Sequence, residues 1–109
     1  MEQSASKKDQ VRYRTAGTSL IVLLPPEVDD HNCQGIAGET EEYIRNRVVK
    51  RIVFDFTRTG FMDSAGIGVL LGRYKRMNEL GGEVVVTGED ERIARILKIS
   101  GIYQIIRSV

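Results

Sequence analysis

The sequence predicts an α/β fold, a small mixed sheet of four to five strands with helices packed against it. Short runs of β-branched and aromatic residues alternate with longer stretches whose apolar residues recur every three or four positions. Pro25-Pro26, Gly81-Gly82 and Gly101 punctuate these segments, as residues that break or end regular structure do. The resulting order, β-β-α-β-α-β-α-β, requires helical crossovers between parallel strands, and such crossovers are right-handed in nearly all folds.

Residues 1–10 are polar, show no structural period and read as a frayed tail ahead of one domain over 11–109. Val11, Arg12, Tyr13 and Arg14 alternate apolar and polar, and Ala16-Gly17-Thr18 offers a turn into the run 20–24, so the pair predicts a hairpin. Its second strand is expected to be buried on both faces, and Pro25-Pro26 ends it. From about Asp30 to Val49, the spacing of Ile36, Thr40, Tyr43, Ile44, Arg47 and Val48 predicts an amphipathic helix. Asp29 or Asp30 can cap its start, which Gly35 and Gly38 are expected to leave loose or adapted to contact.

The run 52–56 (Ile-Val-Phe-Asp-Phe) predicts a strand, and residues 57–60 a loop leading to Ser64. Ile67, Leu70, Leu71, Tyr74, Met77 and Leu80 mark one face of the next helix, which Gly81-Gly82 stops. Val84-Val85-Val86 predicts a buried strand and residues 91–100 a short helix carrying Ile93, Ile96 and Leu97. Ile105-Ile106 closes the chain as a last, edge strand.

Bulk properties narrow the function. Sixteen basic residues against fifteen acidic ones leave a net charge of +1, which is no electrostatic footprint for direct nucleic-acid binding or an anionic membrane. The longest apolar run, 20–24, is too short to insert in a bilayer, and the first ten residues lack the apolar core of an export signal. A single cysteine, Cys33, and a single histidine, His31, supply neither a disulfide nor a soft metal site, so both are read as incidental and a reducing cytoplasm as the compartment.

The candidate chemistry gathers at residues 60–68, where a strand-like run gives way to a helix with Ser64 at the boundary. A phosphate there would meet backbone N–H groups and the positive end of the helix dipole. Asp63 or Ser64 would equally serve as a plain N-cap. Ser64-Ala65-Gly66 is also half of a G-x-S-x-G elbow, but Met62 holds the place of the first glycine and His31 has no evident orienting partner, which disfavours a serine hydrolase. Gly66, Gly68 and Gly72 each weaken a helix relative to alanine, so close approach by the sheet or by a partner is expected. Phe61 and Met62 are core packing under the loop or, if exposed, a contact anchor.

These residues carry a resemblance. The run 27–29 (Glu-Val-Asp), the strand 52–56, the segment 61–68 (Phe-Met-Asp-Ser-Ala-Gly-Ile-Gly) and 71–75 (Leu-Gly-Arg-Tyr-Lys) together resemble the anti-sigma factor antagonists of the STAS domain family, the sporulation antagonists of spore-forming bacteria in particular. The resemblance implies a STAS fold and a partner-switching regulator, not an enzyme. Its unphosphorylated form would bind an anti-sigma factor that is also a serine kinase and so release the sigma factor. Phosphorylation would switch binding off, and a serine phosphatase would restore it.

Ser64 matches the phosphorylated serine, and Asp29, Met62, Asp63, Ser64, Ala65, Gly66 and Gly68 match the partner-binding surface. No cofactor is implied, since ATP is used by the partner kinase. Pro25-Pro26 departs from the more flexible turn associated with this loop, and Ala65 stands where the sporulation antagonist has a second serine. The alternative within the same resemblance is a sensory or scaffold module.

Overall fold

The computed structural model describes residues 10–109, so the tail expected at residues 1–10 falls, except for Gln10, outside the described residues. Strands β1 (Arg12–Ala16) and β2 (Ser19–Leu23) form the expected antiparallel hairpin, with Gly17 at φ +61° in the turn. Glycine carries that angle without the Cβ clash that a larger residue meets in the left-handed region. Then follow β3 (Glu27–Val28), α1 (Asp30–Asn46), β4 (Arg51–Asp55), β5 (Phe61–Met62), α2 (Ser64–Glu79), β6 (Glu83–Thr87), α3 (Glu91–Ile99), a 3-10 turn (Ile102–Gln104) and β7 (Arg107–Ser108).

The main sheet has the order β1-β2-β4-β6-β7, and every pairing after the first is parallel. Leu20, Ile52 and Val84 lie in register across β2, β4 and β6, as do Val22, Phe54 and Val86. All six are buried, and they share one core cluster with Ile36 and Ile44 of α1, Leu70 and Met77 of α2, and Ile93 and Leu97 of α3. The alternation of side chains along a strand thus turns one face of the sheet toward the helices.

Several local expectations shift. β2 is fully buried on one face only, since Ser19, Ile21 and Leu23 keep partial exposure on the other. Helix α1 stops at Asn46 with Arg47 as its C-cap, leaving Val48 69% exposed beyond its end. The buried side of α2 is Gly66, Leu70 and Met77, whereas Leu71 and Leu80 face outward. The last strand comes two residues later than the Ile105-Ile106 pair. Gly101, at φ +83°, ends α3, and the 3-10 turn that follows drives Ile102 and Ile106 into the core before β7 pairs at the sheet edge.

Candidate functional site

Beside the main sheet, β3 and β5 form a two-residue parallel ribbon with Glu27 opposite Phe61 and Val28 opposite Met62. Each strand ends in an aspartate that caps a helix. Asp29 opens α1 and its carboxylate accepts the His31 N–H at 3.0 Å, while Asp63 opens α2 and accepts the Ala65 N–H at 2.9 Å. The ribbon therefore sets two helix entrances next to each other, with the Asp63 N–H donating to the Val28 carbonyl at 3.1 Å. This brings the expected Asp29 alongside Asp63 and Ser64.

The loops before the two strands are joined as well. Prolines 25 and 26 lack donors but keep their carbonyls, and both are used. The buried Thr59 hydroxyl donates to the Pro25 carbonyl at 2.8 Å, and the Gly60 N–H donates to the Pro26 carbonyl at 2.9 Å. The first turn of α1, expected to be loose, is locked: the Asp29 N–H donates to the Asn32 side chain, whose amide donates in turn to the Glu27 carbonyl at 2.7 Å. Such reciprocal capping satisfies helix-end groups that would otherwise lack partners.

Ser64 is the first residue inside α2, and it is exposed. Asp63, not Ser64, is the N-cap, which resolves the choice between them and leaves the serine hydroxyl without a capping duty. The Ala65 and Gly66 N–H groups are already held by the Asp63 carboxylate and carbonyl, so the donors expected to await a phosphate are partly in use. Ser64 makes no side-chain hydrogen bond to His31 among the described residues, and the His31 ring instead lies 3.5–3.6 Å from the Asp29 and Asp30 carboxylates. That pairing gives an activated serine no base.

Two expected contact residues lie beneath the surface. Met62 is 4% exposed, and Gly66 is buried where a Cβ would run into the Met62 side chain and stand 3.1 Å from Val28 Cγ1. They position the site from below. Phe61, the other half of the apolar pair, points outward at 48% exposure, since successive strand residues face opposite ways. Gly68 is exposed, and a Cβ on it would meet nothing within 4 Å, so the sheet does not require glycine there. Gly72 is open in the same way, which removes tight packing on the sheet as the reason for either.

Cys33 lies buried behind the two entrances. Burial first, then the Asp63, Asp29 and Asp30 carboxylates, push its thiol up to about 11, so it stays protonated and unreactive near neutral pH. Asp29, Asp30 and His31 are the described residues whose ligand atoms gather closely, within 4.8 Å, but Asp30 and His31 are exposed and Asp29 is engaged in its cap. They make the Ser64 neighbourhood acidic. Farther along the two helices, Glu41 of α1 accepts from Arg73 at 2.8 Å and from Arg76 of α2, and these guanidinium groups hold its carboxyl below the usual range.

The fold and site define a STAS domain protein: the model of the STAS domain matches residues 10–109, and the chain belongs to that family. The similar proteins include anti-sigma factor antagonists. The chain is 40% identical to the anti-sigma F factor antagonist of Paenibacillus polymyxa over 79% of its own length and 74% of that protein's. It is 30% identical to the anti-sigma-B factor antagonist of Listeria monocytogenes over 78% and 74%. Among solved structures it superposes on the anti-sigma factor antagonist SpoIIAA in its unphosphorylated form with a TM-score of 0.83 at 22% identity, covering 92% of this chain and 88% of that one.

The expected STAS fold, with its mixed five-stranded sheet and three helices, is therefore the observed one. No helix among the described residues is long and apolar enough to cross a membrane. Sequence reasoning missed the β3–β5 ribbon and the loop bridges beneath it. Two-residue strands have no period to read, and Thr59 gave no signal apart from a hydroxyl in a loop.

Proposed function

We propose that this protein is an anti-sigma factor antagonist whose unphosphorylated form binds an anti-sigma factor with serine kinase activity, and that phosphorylation of Ser64 ends that binding. The observation that carries the reading is Ser64 itself: exposed, free of capping duty, and set directly after Asp63 at a helix entrance whose strand pairs with the one leading to Asp29. Kinship with named antagonists supports the partner class.

The chemistry asks of this chain only a reachable hydroxyl. Ser64 Oγ attacks the γ-phosphorus of kinase-bound ATP, its proton passes to a base on the kinase, and the bond to the departing ADP breaks. A serine phosphatase reverses the state by hydrolysis. The added phosphate carries about −1.5 to −2 charge at pH 7 and cannot enter an interface shaped around a neutral hydroxyl without desolvation and repulsion. Asp63, already holding the Ala65 N–H, adds to that repulsion. Phe61, Ala65 and Gly68 flank the serine as contact surface, while Met62 and Gly66 hold it in place.

The test is incubation with the cognate kinase and ATP followed by mass spectrometry. One phosphoryl group on Ser64 is expected, and none on Ser64→Ala, which should still bind the kinase. Labelling at another residue, or no labelling by a kinase that is otherwise active, overturns the reading.

A further inference from the structure

Among the described residues two hydroxyl-bearing side chains are buried, Thr40 and Thr59, and they use their hydroxyls differently. Thr40 donates to the Ile36 carbonyl of its own helix at 2.7 Å, a local bond open to any helical threonine. Thr59 donates across to the Pro25 carbonyl at 2.8 Å, joining two loops far apart in sequence, and Pro25 is buried as well. No other donor among the described residues meets that carbonyl. A buried carbonyl left without a partner is costly, so the closed arrangement of these loops depends on the Thr59 hydroxyl.

The bond stands at the root of the β3–β5 ribbon. From Pro25 the chain runs through Glu27 and Val28 to Asp29, and from Thr59 it runs through Phe61 and Met62 to Asp63 and Ser64, the two paths paired in register. A ribbon this short does not fix its own pairing in water, since isolated two-stranded ribbons are marginal even when longer. The Gly60 N–H bond to the Pro26 carbonyl has an exposed donor residue, where water can compete, whereas Thr59 is shielded from water. Pro25 and Pro26 narrow the loop's choices further, because their rings hold φ at about −65° and leave no N–H to pair elsewhere.

We propose that Thr59 is a positioning residue for the Ser64 site: its hydroxyl clasps the two loops so that the Asp29 and Ser64 entrances stand in one fixed relation, and a partner touching both meets a surface already assembled. The inference rests on the reading of Ser64 as the centre of the interface. Preorganisation of this kind spares the complex the cost of ordering the site on binding. Without the clasp the ribbon opens, and apparent affinity falls by the fraction of molecules still assembled. Thr59 is buried and touches no partner, so its loss acts on binding of the kinase and not on the transfer of the phosphoryl group.

The test follows phosphorylation of Ser64 by the kinase and ATP, with this protein as the varied substrate, for wild type, Thr59→Val, Thr59→Ser and Thr40→Val. Valine keeps the shape of threonine and deletes the hydroxyl. Thr59→Val should raise KM about five-fold with kcat unchanged, and the Gly60, Phe61 and Asp63 amides should lose most of their protection from hydrogen exchange. Thr59→Ser, which keeps the hydroxyl, should behave as wild type does. Thr40→Val, which deletes the other buried hydroxyl, should leave KM as it is. An unchanged KM in Thr59→Val, with Ser64 still labelled, overturns this inference alone. So does a rise in KM that Thr59→Ser shares or Thr40→Val equals, and so does a fall in kcat with KM kept. Should Thr59→Val fail to fold, wild type still decides, because free exchange of those three amides in it overturns the clasp. No labelling of wild type at Ser64 by an active kinase overturns both this inference and the proposed function.

Discussion

The entrances to α1 and α2 are the same device built twice. Each has a two-residue strand, an aspartate cap that accepts the N–H two residues on, and a helix, with Val28 in register with Met62. Two of their differences set their roles, at the first and third helical residues. At the first, α1 has the carboxyl side chain of Asp30, and α2 has Ser64, a neutral hydroxyl that gains charge only when modified. At the third, α1 has Asn32, whose side chain closes a capping box, and α2 has Gly66, whose missing side chain lets Met62 and Val28 pack against the helix. The comparison teaches that the two entrances share a backbone and differ in the group each presents, and that on the proposed reading phosphorylation of Ser64 makes the second resemble the first.

The largest expected effect breaks the difference at the first position. Phosphorylated protein should bind the kinase more than a hundredfold more weakly than unphosphorylated protein, a shift of about 3 kcal/mol readable by calorimetric titration. Ser64→Asp, which copies the α1 entrance without supplying a full phosphate, should fall between the two. The third position comes next. Gly66→Val should destabilise by about 2 to 3 kcal/mol in urea melts, because the added atoms overlap Met62 and Val28.

A smaller effect concerns what holds the two helices in relation. Glu41→Gln should lower stability by about 2 kcal/mol at pH 7, since Arg73 and Arg76 lose a charged acceptor. Glu41 is held below its unfolded value, so its contribution is fully present above the usual glutamate range of about 4.3 and is lost as pH falls through the lower folded value. Acid titration of stability should therefore show a step in wild type that is reduced in Glu41→Gln. The smallest effect tests the caps themselves: Asp63→Ala and Asp29→Ala should each cost about 1 kcal/mol, with unchanged denaturant slopes. A much larger loss at either would show that its carboxylate does more than cap.

Much of this was legible in the residues. The valine run of β6, the β-branched core of β4 and the glycines after α2 and α3 announce strands and stops through local chemistry. Ser64 and Asp63 could be placed at a helix start, because short polar residues bonding to the backbone belong there. Less was legible wherever a residue's role depends on what lies across from it. Leu71 and Leu80 fit a helical stripe yet face outward, since the orientation of α2 follows Gly66, Leu70 and Met77. Met62 and Phe61 were one apolar pair in sequence, and the pleat of β5 sent one to the core and the other to the surface.

By itself the sequence determined the alternation of strands and helices, the helix entrance at Ser64 and, through its match from residue 10 to residue 109, the STAS family. Periodicity, caps and turn residues act over a few positions, so a linear reading can recover them. Only the tertiary structure decided that Asp29 and Asp63 stand side by side, that Met62 and Gly66 lie buried beneath the surface there, and that α3 packs against β5. Those relations join residues about thirty positions apart through the β3–β5 ribbon and helix packing, and a contact between distant segments leaves no period in either one.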